Sequence, residues 1–175
     1  PFLMNEKYHA SIRIIHWLMF VLFAIIFVLG VVMIEFKECC EPWAMYGIHK
    51  STGVLVFLLV LFRLVARWLS QIPPHPAEIS ALNQHISQGV VHLLYLLMIL
   101  VPLSGYALSN VHGHHVDLYG LPLPDLFPEG DQWWQDFTSS AHYYLTYTFL
   151  GVFLLHIAGV IKHHIQGQEV LRRIT

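Results

Sequence analysis

The chain has 175 residues, of which 56% are hydrophobic and only 11% are charged. Soluble domains carry roughly 25% charged residues, so this composition argues against a water-soluble enzyme. We expect the lipid bilayer to be the main solvent of the protein, and we expect no nucleic-acid partner.

Four apolar stretches approach or exceed the length of a membrane span. Residues 17–34, 79–116 and 137–161 contain no charged residue, and the stretch 51–62 continues past Arg63. Helices rise 1.5 Å per residue, so each stretch can cross a hydrocarbon core of roughly 30 Å. We therefore predict an all-α, integral membrane four-helix bundle that forms a single domain over residues 1–175. The helices are expected at about 12–34, 47–69, 82–111 and 137–165.

The connections between these helices differ in composition. Helix 1 is followed by an acidic loop at 35–42, and helix 2 ends before a proline-rich turn at 73–76. Helix 3 contains Pro102, which should kink it because proline removes a backbone N–H. The one long loop covers 113–136 and contains Trp133 and Trp134, which are placed like an interfacial aromatic belt.

Cations and acids separate to opposite ends of the predicted bundle. In an even-helix topology one end collects Lys7, Arg13, Arg63, Arg67, Lys162, Arg172 and Arg173. Most acidic residues fall on the opposite face. Because Lys and Arg favour the cytoplasmic side, we predict that both termini are cytoplasmic.

Histidine is unusually abundant for such an apolar chain. There are 13 histidines against 9 Lys and Arg together, and several lie within the apolar stretches. Polar side chains inside a membrane are costly and usually face the bundle interior or a cofactor. Neutral imidazole is also the commonest axial ligand of haem iron.

Two histidines on helix 4 lie at different depths of the membrane. His142 and His156 are 14 residues apart, which separates them by about 21 Å along the axis and keeps them within about 40° of one face. His49 lies level with His142, and His16 lies level with His156. This arrangement predicts an inner haem between His16 and His156 and an outer haem between His49 and His142.

Other histidines remain alternatives at this point. A single histidine near a helix end is more often interfacial than a ligand. His163 and His92 could each displace a member of the inner pair. His163 and His164 could instead lie near a quinone or a haem propionate, or be simple interfacial anchors.

A histidine cluster in the long loop has no assigned role. His112, His114 and His115 could bind a metal ion weakly, but their spacing does not include the Cys or carboxylate ligands of a structural zinc site. A solvated loop is the favoured interpretation.

Three cations flank the predicted haem sites. Arg63 and Arg67 on the inner turn of helix 2 can snorkel to the headgroups. They can alternatively hold the propionates of the inner haem or donate to a quinone carbonyl, because guanidinium pairs well with planar carboxylates. Lys50 directly follows His49 and could attract an anion or a propionate to the outer haem.

Several glycines lie within the predicted helices. Gly30, Gly53, Gly105 and Gly151 are best explained by close helix approach. The functional alternative is that a glycine makes room for a flat porphyrin.

These features together resemble the bacterial cytochrome b561 family over nearly the whole chain. The resemblance is carried by Ile15-His16-Trp17, Ile48-His49-Lys50-Ser51-Thr52-Gly53, Arg63-Leu64-Val65-Ala66-Arg67, Pro102-Leu103-Ser104-Gly105, His142, Leu155-His156, His163-His164 and Leu171-Arg172-Arg173. It implies a dihaem protein of the bacterial inner membrane that exchanges electrons with ubiquinone, and some members oxidise superoxide. The tail departs from the pattern, with Gln168-Glu169 where an Asp is expected and Ile174 where a Met is expected.

Three functions compete. The first is a superoxide:ubiquinone oxidoreductase, in which superoxide or a redox partner on the periplasmic side donates electrons to two haem b groups. The second is a cytochrome b subunit that anchors a partner dehydrogenase and relays its electrons to quinone. The third, metal transport, is weakest because the buried histidines lack intramembrane carboxylates. No catalytic residue is assigned beyond the haem ligands.

Overall fold

The computed structural model describes residues 7–36, 42–70, 79–168 and 170–175. Its elements are four long helices, α1 (Ala10–Glu35), α2 (Pro42–Leu69), α3 (Ala81–Val111) and α4 (Gln132–Ile165), with a single 3-10 turn at Leu171–Arg173. All four helices are long and apolar enough to cross a membrane, which confirms the predicted all-α membrane bundle. The acidic loop and the proline-rich turn fall largely outside the described residues.

The interior of the bundle is narrow and most large apolar side chains face outward. Consecutive helices pack side by side, α1 on α2, α2 on α3 and α3 on α4. The core cluster consists of Ile15, Met19, Phe23, Val56, Val60, Leu94, Tyr95, Leu97 and Phe149. Trp68 is 86% exposed and Ile165 is 79% exposed. Such a surface is stable only in contact with lipid tails, because exposing so large an apolar area to water is energetically unfavourable.

Helix α4 reaches α1 through aromatic side chains. The rings of Phe23 and Phe149 lie 4.7 Å apart, and those of Phe20 and Phe153 lie 5.6 Å apart. The backbone of α4 packs mainly against α3. Large side chains therefore span the interval between α4 and the first two helices.

Two helices begin earlier than predicted. Helix α4 begins at Gln132 instead of about 137, because the Asp131 carboxylate accepts a hydrogen bond from the Trp134 N–H (3.1 Å) and caps the helix. Helix α2 begins at Pro42, and proline is well tolerated in a first turn, where the backbone N–H has no partner. Helix α3 runs as one element through Pro102.

The long loop contains a small hairpin that was not predicted. Strand β1 (Asp117–Leu118) pairs antiparallel with β2 (Leu121–Pro122). The two connecting residues, Tyr119 and Gly120, have φ angles of 50° and 92°. Positive φ at both positions suits a two-residue turn, and the hairpin packs against α2.

Both termini lie at the same end of the bundle. The Tyr8 N–H donates to the Arg173 carbonyl (3.0 Å), and the guanidinium groups of Arg67 and Arg173 lie over the Tyr8 ring. The Trp17 indole donates to the Ile174 carbonyl (3.1 Å). Two of the cations predicted to gather at one end, Arg67 and Arg173, therefore lie beside the N-terminal segment.

Asn110 ties the opposite loop to the end of α3. Its side-chain amide donates to the His114 carbonyl (3.2 Å) and to the Asp125 carboxylate (3.0 Å). Its carbonyl oxygen accepts from the N–H groups of Leu126 (2.9 Å) and Phe127 (3.3 Å). Asn110 is buried, so its side chain supplies the hydrogen bonds that the loop groups would otherwise form with water.

We predict that Asn110→Ala lowers the free energy of unfolding by about 2 kcal/mol, because buried groups on the loop lose their partner. Thermal unfolding in detergent and the rate of proteolysis within the loop measure the effect. Gln132→Ala is the control, since its bond to Asp136 is exposed and should matter by less than about 0.5 kcal/mol. Equal effects of the two substitutions would contradict the assignment.

Candidate functional site

Two histidines from different helices face each other near the loop-bearing end. His49 lies on α2 and His142 on α4, with their ring centroids 6.4 Å apart and their planes nearly perpendicular at 89°. Both side chains are partly buried. The structure therefore brings together the two residues that the sequence pairs as the outer site.

Glycines make room for both of these rings. A Cβ at Gly30 would lie 3.3 Å from the Cε1 of His49, and one at Gly105 would lie 2.9 Å from the Cε1 of His142. Cβ atoms in proteins essentially never approach another heavy atom as closely as the second distance, so a Cβ at Gly105 would force the His142 ring to shift. By contrast, a Cβ at Gly151 would meet nothing within 4 Å. Gly30 and Gly105 thus accommodate imidazoles.

A serine on α3 determines which nitrogen of His142 is free. The Ser104 hydroxyl donates to the Val101 carbonyl (2.7 Å), so its oxygen accepts from the His142 Nδ1–H (2.9 Å). With the proton on Nδ1, the Nε2 of His142 keeps its lone pair. Hydrogen bonding at the second nitrogen commonly orients a metal-bound histidine.

His49 has a buried nitrogen to satisfy. Among the residues that the structure describes, its Nδ1 atom has no hydrogen-bond partner. The Ile26 carbonyl on α1 lies close enough to influence the ring, although the hydrogen-bond geometry is not met. A proton on Nδ1 would leave Nε2 of His49 free as a ligand.

The second pair lies toward the end that carries the termini. His16 on α1 and His156 on α4 each lie about one helical turn from the contacting rings of Phe20 and Phe153, and both histidines are partly buried. The Arg63 guanidinium donates to the Nδ1 of His16 (2.8 Å) and to the Tyr95 hydroxyl (3.0 Å). The inner site is therefore a histidine pair beside an internal cation.

The donor set fits a flat, axially bound cofactor. Helix α4 contributes one imidazole to each pair. The other imidazole comes from α2 at the outer pair and from α1 at the inner pair. Within residues 7–36, 42–70, 79–168 and 170–175, no group of three or more His, Cys, Asp and Glu could hold a metal ion by side chains alone. Opposed imidazoles without carboxylates suit haem iron and do not favour metal transport.

The alternative histidines occupy other environments. His92 is exposed on α3, and His164 is exposed near the end of α4. His163 is buried, and its Nδ1–H donates to the side-chain oxygen of Gln168. His163 therefore helps to hold the C-terminal tail and does not enter the inner pair.

The loop histidines are engaged in local contacts. The His112 Nδ1–H donates to the Leu108 carbonyl (2.8 Å). The His115 Nδ1 atom lies 2.9 Å from the Asp125 carboxylate. These contacts agree with a structured, solvated loop.

The remaining predicted site residues are Lys50, which follows His49 of the outer pair, and Arg67, which lies one helical turn after Arg63 of the inner site. The Lys50 ammonium donates to the Ser109 hydroxyl (3.2 Å) and to the His115 carbonyl (2.8 Å). Arg67 lies 5.9 Å from the ring centroids of both Tyr8 and Tyr95. Lys50, which directly follows His49, thus has neutral hydrogen-bond partners.

A family model for prokaryotic cytochrome b561 matches residues 7–175. The chain belongs to this family. It is similar to cytochrome b561 homolog 2 of Escherichia coli K12, with 27% identity over 97% of this chain and 91% of that protein. It is also similar to the probable superoxide oxidase CybB of Yersinia pestis, with 26% identity over 92% of this chain and 90% of that protein.

Membership in the cytochrome b561 family defines the general role of the chain. It is a multi-pass protein of the bacterial inner membrane that takes part in electron transfer with haem b. The four spanning helices agree with this location.

Sequence reasoning assigned no role to Ser104 or Tyr95. Ser104 lies in the Pro-Leu-Ser-Gly motif that carries part of the family resemblance, so the motif marked the position without its function. Tyr95 lies on α3, and its contact with Arg63 on α2 joins residues 32 positions apart. The spacing of residues along a single helix predicts neither the contact of Ser104 with His142 nor that of Tyr95 with Arg63.

We predict that Gly105→Ala reduces the haem-to-protein ratio of the purified cytochrome toward half the wild-type value. The added Cβ must displace the His142 ring, and overpacking of this kind costs about 1–3 kcal/mol. A pyridine haemochrome assay gives the ratio. Gly151→Ala is the matched control because its Cβ enters open space, and a similar loss in both variants would contradict a specific role for Gly105.

Proposed function

We propose that this cytochrome b561 carries electrons across the membrane through two bis-histidine haem b groups and delivers them to a membrane quinone. The presence of an imidazole pair at each of two levels carries this proposal. His49 and His142 would hold the outer haem, and His16 and His156 the inner haem. Residues 1–175 would act as a single domain.

When bound, haem b supplies a one-electron carrier at each level, and two axial histidines favour electron transfer over oxygen binding. The chain itself orients the imidazoles and excludes water from them. Arg63 and Arg67 are the residues that would meet the propionates of the inner haem or a quinone carbonyl, since a guanidinium suits planar oxygen acceptors. Lys50 would act beside the outer haem.

We place both termini in the cytoplasm. The end of the bundle with Tyr8 and Arg173 also holds Arg67 and Arg63, whereas the opposite loop is rich in aspartate. Short loops rich in Lys and Arg favour the cytoplasmic side. The outer histidine pair then faces the periplasm.

Superoxide is the electron donor that we favour, and ubiquinone is the proposed acceptor. Two superoxide ions each lose one electron and become O₂, and the two electrons with two protons reduce one quinone to quinol. One relative is named a probable superoxide oxidase. Lys50 supports an anionic donor because its ammonium has neutral hydrogen-bond acceptors at Ser109 and His115, with the carboxylate of Asp117 only within electrostatic range.

We predict that His49→Ala or His142→Ala removes one haem and leaves the other. The reason is that each pair supplies both axial ligands of its own iron. The haem-to-protein ratio and the reduced-minus-oxidised spectrum measure the result. His92→Ala, on an exposed histidine of α3, should leave both haems in place.

Two outcomes would count against this assignment. Loss of both haems from a folded variant would contradict independent sites. A colourless wild-type protein after full haem supply would remove the proposed function altogether.

We predict that Lys50→Gln slows haem reduction by superoxide by about threefold to tenfold at low ionic strength, because a cation steers an anionic donor. Stopped-flow mixing with superoxide measures the rate, and added salt should shrink the difference. Lys50→Arg should retain most of the rate. Lys162→Gln, at the far end of α4, is the matched control and should change little.

The same measurement separates superoxide oxidation from the anchoring of a dehydrogenase. Rapid haem reduction by superoxide followed by quinol formation supports the first function. Absent or very slow reduction by superoxide, together with a dehydrogenase that co-purifies and reduces the haems, would support the anchor instead. Electron transfer through the bundle belongs to both hypotheses.

A further inference from the structure

The two histidine pairs have opposite electrostatic surroundings. At the outer pair, the neutral Ser104 oxygen accepts from His142 (2.9 Å). At the inner pair, the Arg63 guanidinium approaches the Nδ1 of His16 at 2.8 Å. One level therefore faces a hydrogen-bond acceptor and the other a positive charge.

We infer that Arg63 holds the inner haem at a higher reduction potential than the outer haem, so that electrons entering at the outer pair run downhill toward the inner pair. The inference rests on the proposed two-haem function. Reduction adds one negative charge to an iron site, and a nearby cation stabilises that form. In a lipid-embedded interior this attraction is screened far less than at a surface.

Tyr95 is the residue that keeps the cation in place. Arg63 can only donate, so the Nδ1 of His16 acts as an acceptor in the structure. An imidazole that binds iron through Nε2 normally has its proton on Nδ1, so this contact must loosen when His16 becomes a ligand. The bond from the Arg63 Nε–H to the Tyr95 hydroxyl (3.0 Å) still holds the guanidinium at the same depth, because Tyr95 is buried in the core.

Ser104 acts in the other direction at the outer level. A hydrogen-bond acceptor on Nδ1–H increases the basicity of a ligand histidine. A more basic imidazole stabilises the oxidised iron, which lowers the reduction potential. Ser104 and Arg63 thus reinforce each other in separating the two potentials.

The charges farther from the two histidine pairs favour the same order of the two reduction potentials. Arg67 and Arg173 lie at the inner end over Tyr8, and Asp117 and Asp125 lie at the outer end. Lys50 is the exception at the outer level within the part of the chain that the structure describes, and it lies within electrostatic range of Asp117. The inner level is therefore the more positive one among the described residues.

The balanced step is the transfer of one electron between the two levels. The outer site would lose one electron, the inner site would gain it, and no bond would form or break. The donor on the outer side restores the outer site, and quinone removes electrons from the inner side. Arg63 and Ser104 are positioning residues in this step because they act through the histidines.

Potentiometric titration of single-haem variants tests the inference. His142→Ala should retain only the inner haem and His16→Ala only the outer haem, and a haem count establishes this first. We expect the higher potential in the protein that retains the inner haem. The reverse order, or equal potentials, would overturn the inference while leaving the two-haem function intact.

Substitutions at Arg63 then identify the cause. In the His142→Ala background, Arg63→Gln should weaken reduction of the inner haem about tenfold, which is about 59 mV for a one-electron couple. Arg63→Lys, which keeps the charge, should restore most of the potential. Lys162→Gln removes an exposed cation from the last turn of α4 and is the matched control. An effect at Lys162 as large as that at Arg63 would refute the specific role of Arg63.

A matching experiment applies to Ser104. In the His16→Ala background, Ser104→Ala should raise the potential of the outer haem, and Ser104→Thr should return it toward the starting value because the hydroxyl is kept. An unchanged potential in Ser104→Ala would remove Ser104 from the inference. If Arg63→Gln fails to bind haem, the order of the two potentials and the Arg63→Lys variant still decide the outcome.

Discussion

The structure depends on imidazole side chains that lie between α4 and the first two helices inside a lipid-embedded bundle. Each imidazole nitrogen must find a partner, because neither water nor lipid supplies one at that depth. His142 uses Ser104 for one nitrogen, and His16 uses Arg63. Helix α4 packs mainly on α3, which leaves its histidines free to reach toward α1 and α2.

Close packing at the outer level serves these rings. Gly30 and Gly105 lie where any larger side chain would push against His49 or His142. Interiors at protein density do not yield easily to an added methyl group, so the two glycines determine how far each ring can move. The same density explains why Gly151, which faces open space, carries no such constraint. Glycine is therefore needed here for side-chain room and not for backbone freedom.

Much of the fold could be predicted because helices that cross a membrane obey a simple length and polarity rule. The helix ends were less predictable. Capping by Asp131 extended α4 to Gln132, and the Tyr119–Gly120 turn created a hairpin in what composition suggested was plain loop. Both features depend on specific hydrogen bonds and φ angles, which average hydropathy does not record.

The sequence by itself determined the number of spans, the separation of cations from acids, and the two-level spacing of histidines on α4, because these follow from helical rise and side-chain polarity. Only the tertiary structure decided which groups meet those histidines. Ser104 and His142 lie 38 residues apart in the chain, and Arg63 and His16 lie 47 apart. Contacts of this kind depend on the rotation and depth of whole helices, which no local pattern of residues specifies.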